Sequence, residues 1–180
     1  MTKELFDKFE DFSSGKRCPK CDNTKLYTHI DRYCDPPREY WSYRCASCNY
    51  RYSPTKLDES LDILFLFSRG RSIHLTVNNL LYSYNKVYRQ FMIFRREIKE
   101  YADENNIPTQ PSILEANYSL DYEELTKFHS FVKLYRLKPR RFRIENLSLY
   151  QRYAEFRYHY RNQDIKELIF DIHLNALRKK

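Results

Sequence analysis

Glycine is almost absent from this sequence. Only Gly15 and Gly70 occur among its 180 residues, whereas glycine makes up about 7% of an average protein. A glycine-rich phosphate loop and a dinucleotide-binding fingerprint each need several glycines where the backbone approaches the ligand, so both are excluded. A large catalytic α/β domain with many tight turns is disfavoured for the same reason.

Long hydrophobic runs are also missing. No apolar stretch approaches the ~18 residues of a membrane-spanning helix, and residues 1–10 lack the apolar centre of a signal peptide. We therefore expect an intracellular protein, in the nucleus or the cytoplasm, that has no membrane partner. In such a reducing compartment the five cysteines favour metal binding over disulfides.

The cysteines form two C-x-x-C pairs and one isolated residue. Cys18 and Cys21 make the first pair, and Cys45 and Cys48 make the second. Two such pairs supply the four thiolates of a structural zinc site that has no open coordination position. We therefore predict one structural Zn²⁺ and no catalysis by the metal. Cys34 is interpreted as a bystander thiol, and a role as an alternative fourth ligand stays open.

Residues 16–55 are predicted to form a four-cysteine zinc ribbon. The predicted strands are Lys25–Ile30, Tyr40–Arg44 and Tyr50–Tyr52. Aromatic and basic side chains mix along these strands, and such a surface suits base stacking and phosphate contact. The alternative is that the aromatic residues close the small core of the ribbon. Arg44 and Arg51 are the candidate nucleic-acid ligands here.

Residues 56–103 follow helical periodicity, and a short N-terminal helix is predicted over residues 1–15. Gly15 is expected to end this helix. Gly70 interrupts the first of three helices, and Ser83 is predicted to cap a long third helix. Three helices with short connections resemble a helix-turn-helix, in which the first turn of the last helix enters the major groove. An ordinary three-helix packing unit explains the pattern equally well. The candidate ligands are Tyr84, Asn85, Lys86 and Arg89.

Residues 104–118 are mostly polar, contain two prolines and are predicted to form a linker. Residues 119–180 are predicted to be a basic helical region. Its helices are expected to start at Asp121–Glu124, Ser148–Gln151 and Asp164–Glu167. Pro139 is expected to end the first of them. We expect the aromatic residues to fill two small cores, one on each side of the linker.

Positive charge is concentrated towards the C-terminal end. The chain carries 32 Lys and Arg against 24 Asp and Glu, a net charge of +8, and residues 133–161 are its most basic stretch. A basic surface interleaved with tyrosines can bind a phosphate backbone, although a solvated charged face is the alternative. The candidates are Lys133, Arg136, Lys138, Arg140, Arg141, Arg143, Arg152 and Arg157.

Two segments resemble a known family. They are the end of the ribbon, Arg44–Ser53, and the helical segment Tyr153–Asn162, whose letters are YAEFRYHYRN. Together with the intervening helix-turn-helix pattern, they resemble the zinc-ribbon DDE transposases of the Merlin type. Phe128–Lys133 is similar to the helix that carries the last acidic residue of that family.

The resemblance also implies a loss of activity. The family carries a ribonuclease-H-like catalytic core between these ends, and here only residues 102–123 separate them. Asn117 stands in place of the first catalytic Asp, and Thr126 stands in place of the last acid. Two-metal phosphoryl transfer needs several carboxylates on a rigid sheet. The resemblance therefore implies a shortened, non-catalytic descendant.

The sequence thus predicts a mainly α protein with a small β zinc ribbon. We expect it to bind DNA or structured RNA through basic and aromatic surfaces, without being an enzyme. A ribosome-bound factor that contacts rRNA and blocks functional sites is one alternative. A protein-interaction adaptor, which binds protein subunits of a larger assembly, is the other.

Overall fold

A computed structural model of the chain describes residues 7, 10–31, 40–110, 124–134 and 144–179. These residues are mainly helical and include a small three-stranded antiparallel sheet, as predicted. The strands are β1 Leu26–Asp31, β2 Tyr40–Cys45 and β3 Arg51–Tyr52. The helices are α1 Pro54–Ser68, α2 Ile73–Leu80, α3 Tyr84–Glu104, α4 Glu124–Leu134, α5 Leu147–His159 and α6 Ile165–Lys179. Within the described ranges, none of these helices combines the length and the apolar character needed to cross a membrane.

The strands pair in the order β1-β2-β3. Tyr27 of β1 lies opposite Arg44 of β2, and Arg44 lies opposite Arg51 of β3. Residues directly opposite each other project to the same face of a sheet. One face of the ribbon therefore carries Tyr27, Arg44 and Arg51 in a row, and the other face carries Tyr43 and Tyr52.

The end of the N-terminal helix packs on that second face. Residues 10–13 are helical, and Gly15 follows with a φ of +72°, as predicted for a residue that ends a helix. A Cβ atom on Gly15 would overlap the ring of Tyr43. The Tyr52 hydroxyl lies 3.0 Å from the carbonyl oxygen of Phe12, whose side chain is fully buried. The ribbon is thus fastened to the helical part.

The three middle helices begin where the sequence places caps. Pro54 is the first residue of α1, a position where its missing N–H is not needed. The Ser72 hydroxyl accepts a hydrogen bond from the backbone N–H of Leu75 over 3.3 Å. The Ser83 hydroxyl accepts one from the N–H of Lys86 over 3.4 Å, which confirms Ser83 as the cap of α3.

The helices share one hydrophobic core, which corrects the expectation of two. Phe67 of α1 packs against Phe91 of α3 at 4.9 Å and against Tyr153 of α5 at 5.0 Å between ring centroids. The beginning of the predicted linker belongs to this core, since Ile107 is only 4% exposed. Apolar periodicity predicts which faces are buried, but it does not predict that both sets of helices bury them together.

The helix starts in the C-terminal region agree with the sequence in part. Helix α6 begins after Asp164, which accepts a hydrogen bond from the N–H of Lys166 over 3.1 Å. The predicted helix at Ser148 begins one residue earlier, at Leu147, because a 3₁₀ turn at Ile144–Asn146 leads directly into it. Asn146, and not Ser148, is its N-cap. The predicted start at residues 121–123 and the expected stop at Pro139 lie outside the described residues.

Candidate metal centre and nucleic-acid interface

The four paired cysteines come together at one end of the ribbon. Their sulfur atoms all lie within 4.8 Å of one another. The Sγ atoms of Cys18 and Cys48 are 3.6 Å apart, and those of Cys21 and Cys45 are 3.5 Å apart. Four sulfurs at about 2.3 Å from one tetrahedral ion would be about 3.8 Å apart. The cluster therefore fits a metal ion, and the predicted ligand set is the set that the fold assembles.

The backbone makes the same turn at both cysteine pairs. The N–H of Asp22 donates to the carbonyl of Cys18 over 2.9 Å, and that of Asn49 donates to Cys45 over 3.1 Å. Asp22 and Asn49 have φ values of +57° and +61°. Asp and Asn tolerate this left-handed conformation better than other residues with a side chain, so the ribbon closes its knuckles without glycine.

The metal-free thiols differ in acidity. Burial raises the pKa of the Cys18 thiol to about 12. Burial also raises the pKa of Cys45, but hydrogen bonds from the backbone N–H groups of Cys48 and Ser47 and from neighbouring thiols outweigh it and lower the pKa to about 7. Because metal ligands must be thiolates, binding an ion here displaces protons.

One knuckle is tied to the last helix. Arg178 of α6 forms an ion pair with the carboxylate of Asp22, which directly follows Cys21. The second carboxylate oxygen of Asp22 and the Nε of Arg178 are buried and have no hydrogen-bond partner among the described residues. The remaining cysteine, Cys34, lies outside the described residues.

The start of α3 presents several of the predicted nucleic-acid ligands to solvent. Tyr84 is 45% exposed, and Asn85 and Arg89 are exposed as well. Lys86 differs from them, because its ammonium group lies 2.6 Å from the carboxylate of Glu59 on α1. Its charge is thus paired across two helices, and its role as a ligand stays a prediction.

The same helix carries a further exposed base that is not among the predicted ligands. Arg96 lies seven residues after Arg89, which places both on one face of α3. Both side chains are exposed, and within the described part of the chain neither has an ion-pair partner. Asn85, Arg89 and Arg96 form a line that we call the helix stripe. The heptad spacing of the two arginines was the signal that could have identified it.

Two predicted phosphate ligands turn out to be internal. The Arg152 guanidinium lies 2.6 Å from the Glu155 carboxylate and 2.7 Å from that of Asp103. Arg157 is 8% exposed, and its Nη2 donates to the carbonyl of Ser68 over 2.7 Å. Both predictions are corrected, because sequence counts positive charges but does not show which of them are paired inside the protein.

The motif that carries the family resemblance is built from packing residues. Glu155 is 2% exposed and accepts hydrogen bonds from the backbone N–H of Gln110 at 2.8 Å and from the Gln151 amide at 2.7 Å. Phe156 is fully buried. Arg157 follows it in the sequence and contacts the end of α1 through its hydrogen bond to Ser68. This stretch of α5 fastens the segment after α3 and the end of α1 to the core.

Arg95 is a buried base that is not among the predicted ligands. It is 7% exposed, and its guanidinium lies over the ring of Tyr150 at 4.2 Å and near that of Tyr153 at 5.5 Å. Burial lowers the pKa of this guanidinium. Its contacts with aromatic rings are cation–π interactions. Tyr150 and Tyr153, which were expected on the basic surface, are therefore buried around it.

The remaining predicted ligands divide into exposed and undescribed residues. Arg44, Arg51 and Lys133 are exposed. The others lie outside the described residues: Arg136, Lys138, Arg140, Arg141 and Arg143.

No protein-family model, no curated protein and no solved structure matches this chain.

Proposed function

We propose that this protein is a non-catalytic zinc-ribbon protein that binds nucleic acid, either DNA or structured RNA. The observation that carries the proposal is the helix stripe, since Arg89 and Arg96 are exposed on a rigid helix and have no ion-pair partner among the described residues. Unpaired arginines at this spacing can contact successive phosphates, and exposed Asn85 can read a base edge. The net charge of +8 adds long-range attraction for a polyanion.

Zinc is the proposed occupant of the four-thiol cluster. A compact set of four sulfur ligands selects Zn²⁺ or iron among the common metals. A closed set of four protein ligands stabilises the fold, while a catalytic zinc keeps an open position for water or substrate. Cys18 and Cys45 are buried, so the ion would link the two knuckles from inside the ribbon.

Metal analysis of the purified protein tests this part directly. We expect one zinc per chain, and we expect Cys18→Ser with Cys45→Ser to lose it. Cys34→Ser is the matched control and should keep the full zinc content. A stoichiometric iron content, or a folded ribbon that contains no metal, would contradict the proposal.

Nucleic-acid binding is tested by fluorescence anisotropy with a 20-bp DNA duplex and an RNA hairpin, over a salt titration. Each phosphate contact that is lost should reduce the slope of log affinity against log salt by about 1. The variant Arg89→Gln/Arg96→Gln should therefore bind more weakly, and its slope of log affinity against log salt should be smaller by about 2. The control Lys166→Gln/Lys179→Gln removes the same charge from ammonium groups that already pair with Asp164 and Glu104, so its slope should stay near that of the original protein.

Two outcomes would reject nucleic-acid binding. One is the absence of binding to either probe at low salt. The other is an equal loss in both double variants, because it would indicate a non-specific effect of net charge. Binding to the hairpin alone, together with co-sedimentation with ribosomes, would select the ribosome-bound alternative.

The absence of an activity is also a proposal. The buried carboxylates Glu97 and Glu155 are engaged with His173, at 2.7 Å, and with Arg152, at 2.6 Å, so they serve packing in the described part. We expect no cleavage of DNA in the presence of Mg²⁺ or Mn²⁺. Glu115 is the carboxylate two residues before Asn117, the position compared with the first catalytic Asp. Cleavage that is lost in Glu115→Gln would overturn this proposal and restore a transposase-like nuclease.

A protein-interaction adaptor is the second candidate, and exposed leucines near α3 favour it. Leu81 is 89% exposed and Leu75 is 48% exposed. Binding of a protein partner through them would be insensitive to salt, whereas phosphate contacts weaken steeply as salt rises.

A further inference from the structure

The outer face of the ribbon carries an aromatic residue and two arginines in one line. Tyr27, Arg44 and Arg51 are successive partners across the three strands. Strands lie about 4.8 Å apart, so the line crosses the sheet in about 10 Å. We call these three residues the ribbon row.

The ribbon row does not contribute to the core. Tyr27 is 55% exposed, and Arg44 and Arg51 are exposed too. The tyrosines of the opposite face do the packing, since Tyr52 is 8% exposed and its ring lies 5.7 Å from that of Tyr43. Folding of the ribbon therefore does not explain why an aromatic ring faces solvent at Tyr27.

Each of the two arginines is held by a side-chain hydrogen bond. The Nε of Arg44 donates to the side-chain oxygen of Asn49 over 2.6 Å, and the Nε of Arg51 donates to the Ser42 hydroxyl over 3.3 Å. The two residues are cross-strand partners, so two positive charges lie on adjacent strands of one face. Arg favours phosphate because its planar donors match the phosphate oxygens.

We propose that the ribbon row binds a single-stranded polynucleotide, with one base stacked on Tyr27 and the adjacent phosphates at Arg44 and Arg51. This inference rests on the proposed function and names the form of nucleic acid that the ribbon takes. A flat, exposed ring needs a base whose face is free, and the bases of a duplex are already stacked on one another. Proteins that bind single strands use this combination of an aromatic platform and a basic track.

The metal site positions this surface. Arg44 directly precedes Cys45, and its partner Asn49 directly follows Cys48 in a left-handed conformation. The knuckle that holds the ion therefore also orients the Arg44 side chain. Removal of zinc should abolish single-strand binding by the ribbon row.

The test uses the full-length, zinc-loaded protein and fluorescein-labelled 12-nucleotide probes: oligo(U), oligo(dT) and an abasic strand of the same length. We expect Tyr27→Leu to weaken oligomer binding about tenfold or more, because loss of one base–aromatic stack has an effect of this size. Tyr27→Phe keeps the ring and should change affinity less than twofold. The abasic strand should bind the original protein about as weakly as the oligomers bind Tyr27→Leu.

The abasic arm needs no variant, so the proposal can be tested even if Tyr27→Leu fails to fold. Comparison of oligo(U) with oligo(dT) decides whether the strand is RNA or DNA. Equal binding of abasic and base-containing strands, or no effect of Tyr27→Leu in a folded protein, would overturn the inference.

The inference and the proposed function can fail separately. If the duplex or hairpin still depends on Arg89 and Arg96 while single strands ignore Tyr27, the inference is wrong and the proposed function stands. If no probe binds at low salt, both are wrong.

Discussion

The guanidinium group of Arg157 lies directly against Gly70. A Cβ atom on Gly70 would be 3.2 Å from the Nη1 atom of Arg157, and Gly70 has a φ of +72°. From this position Arg157 donates hydrogen bonds to the carbonyls of Phe67, over 3.3 Å, and Ser68, over 2.7 Å. These are the last residues of α1, where helix carbonyls lack partners and a positive charge is favourable. Gly70 thus leaves space for an arginine that caps the C-terminal end of α1.

Replacement of this arginine should destabilise the fold without weakening nucleic-acid binding. Arg157→Met removes the charged donor from the carbonyl groups of Phe67 and Ser68, of which Phe67 keeps the N–H of Gly70 as a donor. We expect the free energy of unfolding to fall by about 1–3 kcal/mol, the cost of one buried carbonyl group left without its donor. Arg89→Met is the matched control, since Arg89 is exposed and should affect affinity but hardly stability. Urea unfolding measures stability, and fluorescence anisotropy measures affinity. If Arg157→Met lost affinity and kept its stability, the structural role of Arg157 would be refuted.

Gly15→Ala should loosen the N-terminal turn from the ribbon. The added Cβ is strained at a φ of +72° and overlaps the Tyr43 ring, so we expect a loss of about 1–3 kcal/mol of stability. The overlap disappears in Tyr43→Ala, and Gly15→Ala should have a smaller effect in that background. Thermal unfolding of the four proteins gives the coupling. Additive losses would show that only the backbone conformation matters.

The ion pair between Asp103 and Arg152 should make stability dependent on pH. Hydrogen bonds from Lys99 and Arg152 hold the pKa of Asp103 below its ordinary value of 3.8. The contribution is therefore present above pH 3.8 and is lost as the pH falls through the lower, folded-state pKa. Because Asp103 is 45% exposed, Asp103→Asn should lower stability at pH 7 by only about 0.5–1 kcal/mol.

Urea unfolding across pH distinguishes this from a packing effect. The difference between the original protein and Asp103→Asn should vanish in acid, whereas a difference that persists unchanged would contradict the assignment. Asp171→Asn is the control, since Asp171 is exposed on α6 and has no ion-pair partner among the described residues. The same change of charge should not change stability measurably there.

The ion pair between Asp22 and Arg178 should depend on the metal. Asp22 keeps its place through the knuckle of Cys18 and Cys21. A double-mutant cycle with Asp22→Asn and Arg178→Met should give a coupling of about 0.5–1 kcal/mol in the zinc-loaded protein. After chelation the knuckle loses its anchor, so the coupling should vanish. The same coupling with and without zinc would show that the pair is independent of the site.

The sequence predicts most elements because their signals are local. Ser83 and Asp164 mark helix starts, Gly15 marks a helix end, and the spacing of the cysteine pairs identifies the ligand set. Ser148 misled because a capping pattern also occurs inside a helix when a 3₁₀ turn precedes it. Local patterns do not show which elements meet.

The sequence by itself determined the four-cysteine cluster, the helical class and the lack of a phosphate loop, because residue type and spacing decide these. Only the tertiary structure decided which positive charges are available. It buried Arg95 and Arg157, paired Arg152 with two carboxylates, and exposed Arg89 and Arg96. A buried guanidinium needs carbonyls, carboxylates or rings around it, and these partners come from helices distant in sequence. The scarcity of glycine can also be read from the sequence, but its consequences cannot. Only the structure shows that Asp22 and Asn49 adopt the left-handed conformation at the knuckles, and that Gly70 leaves space for the Arg157 side chain.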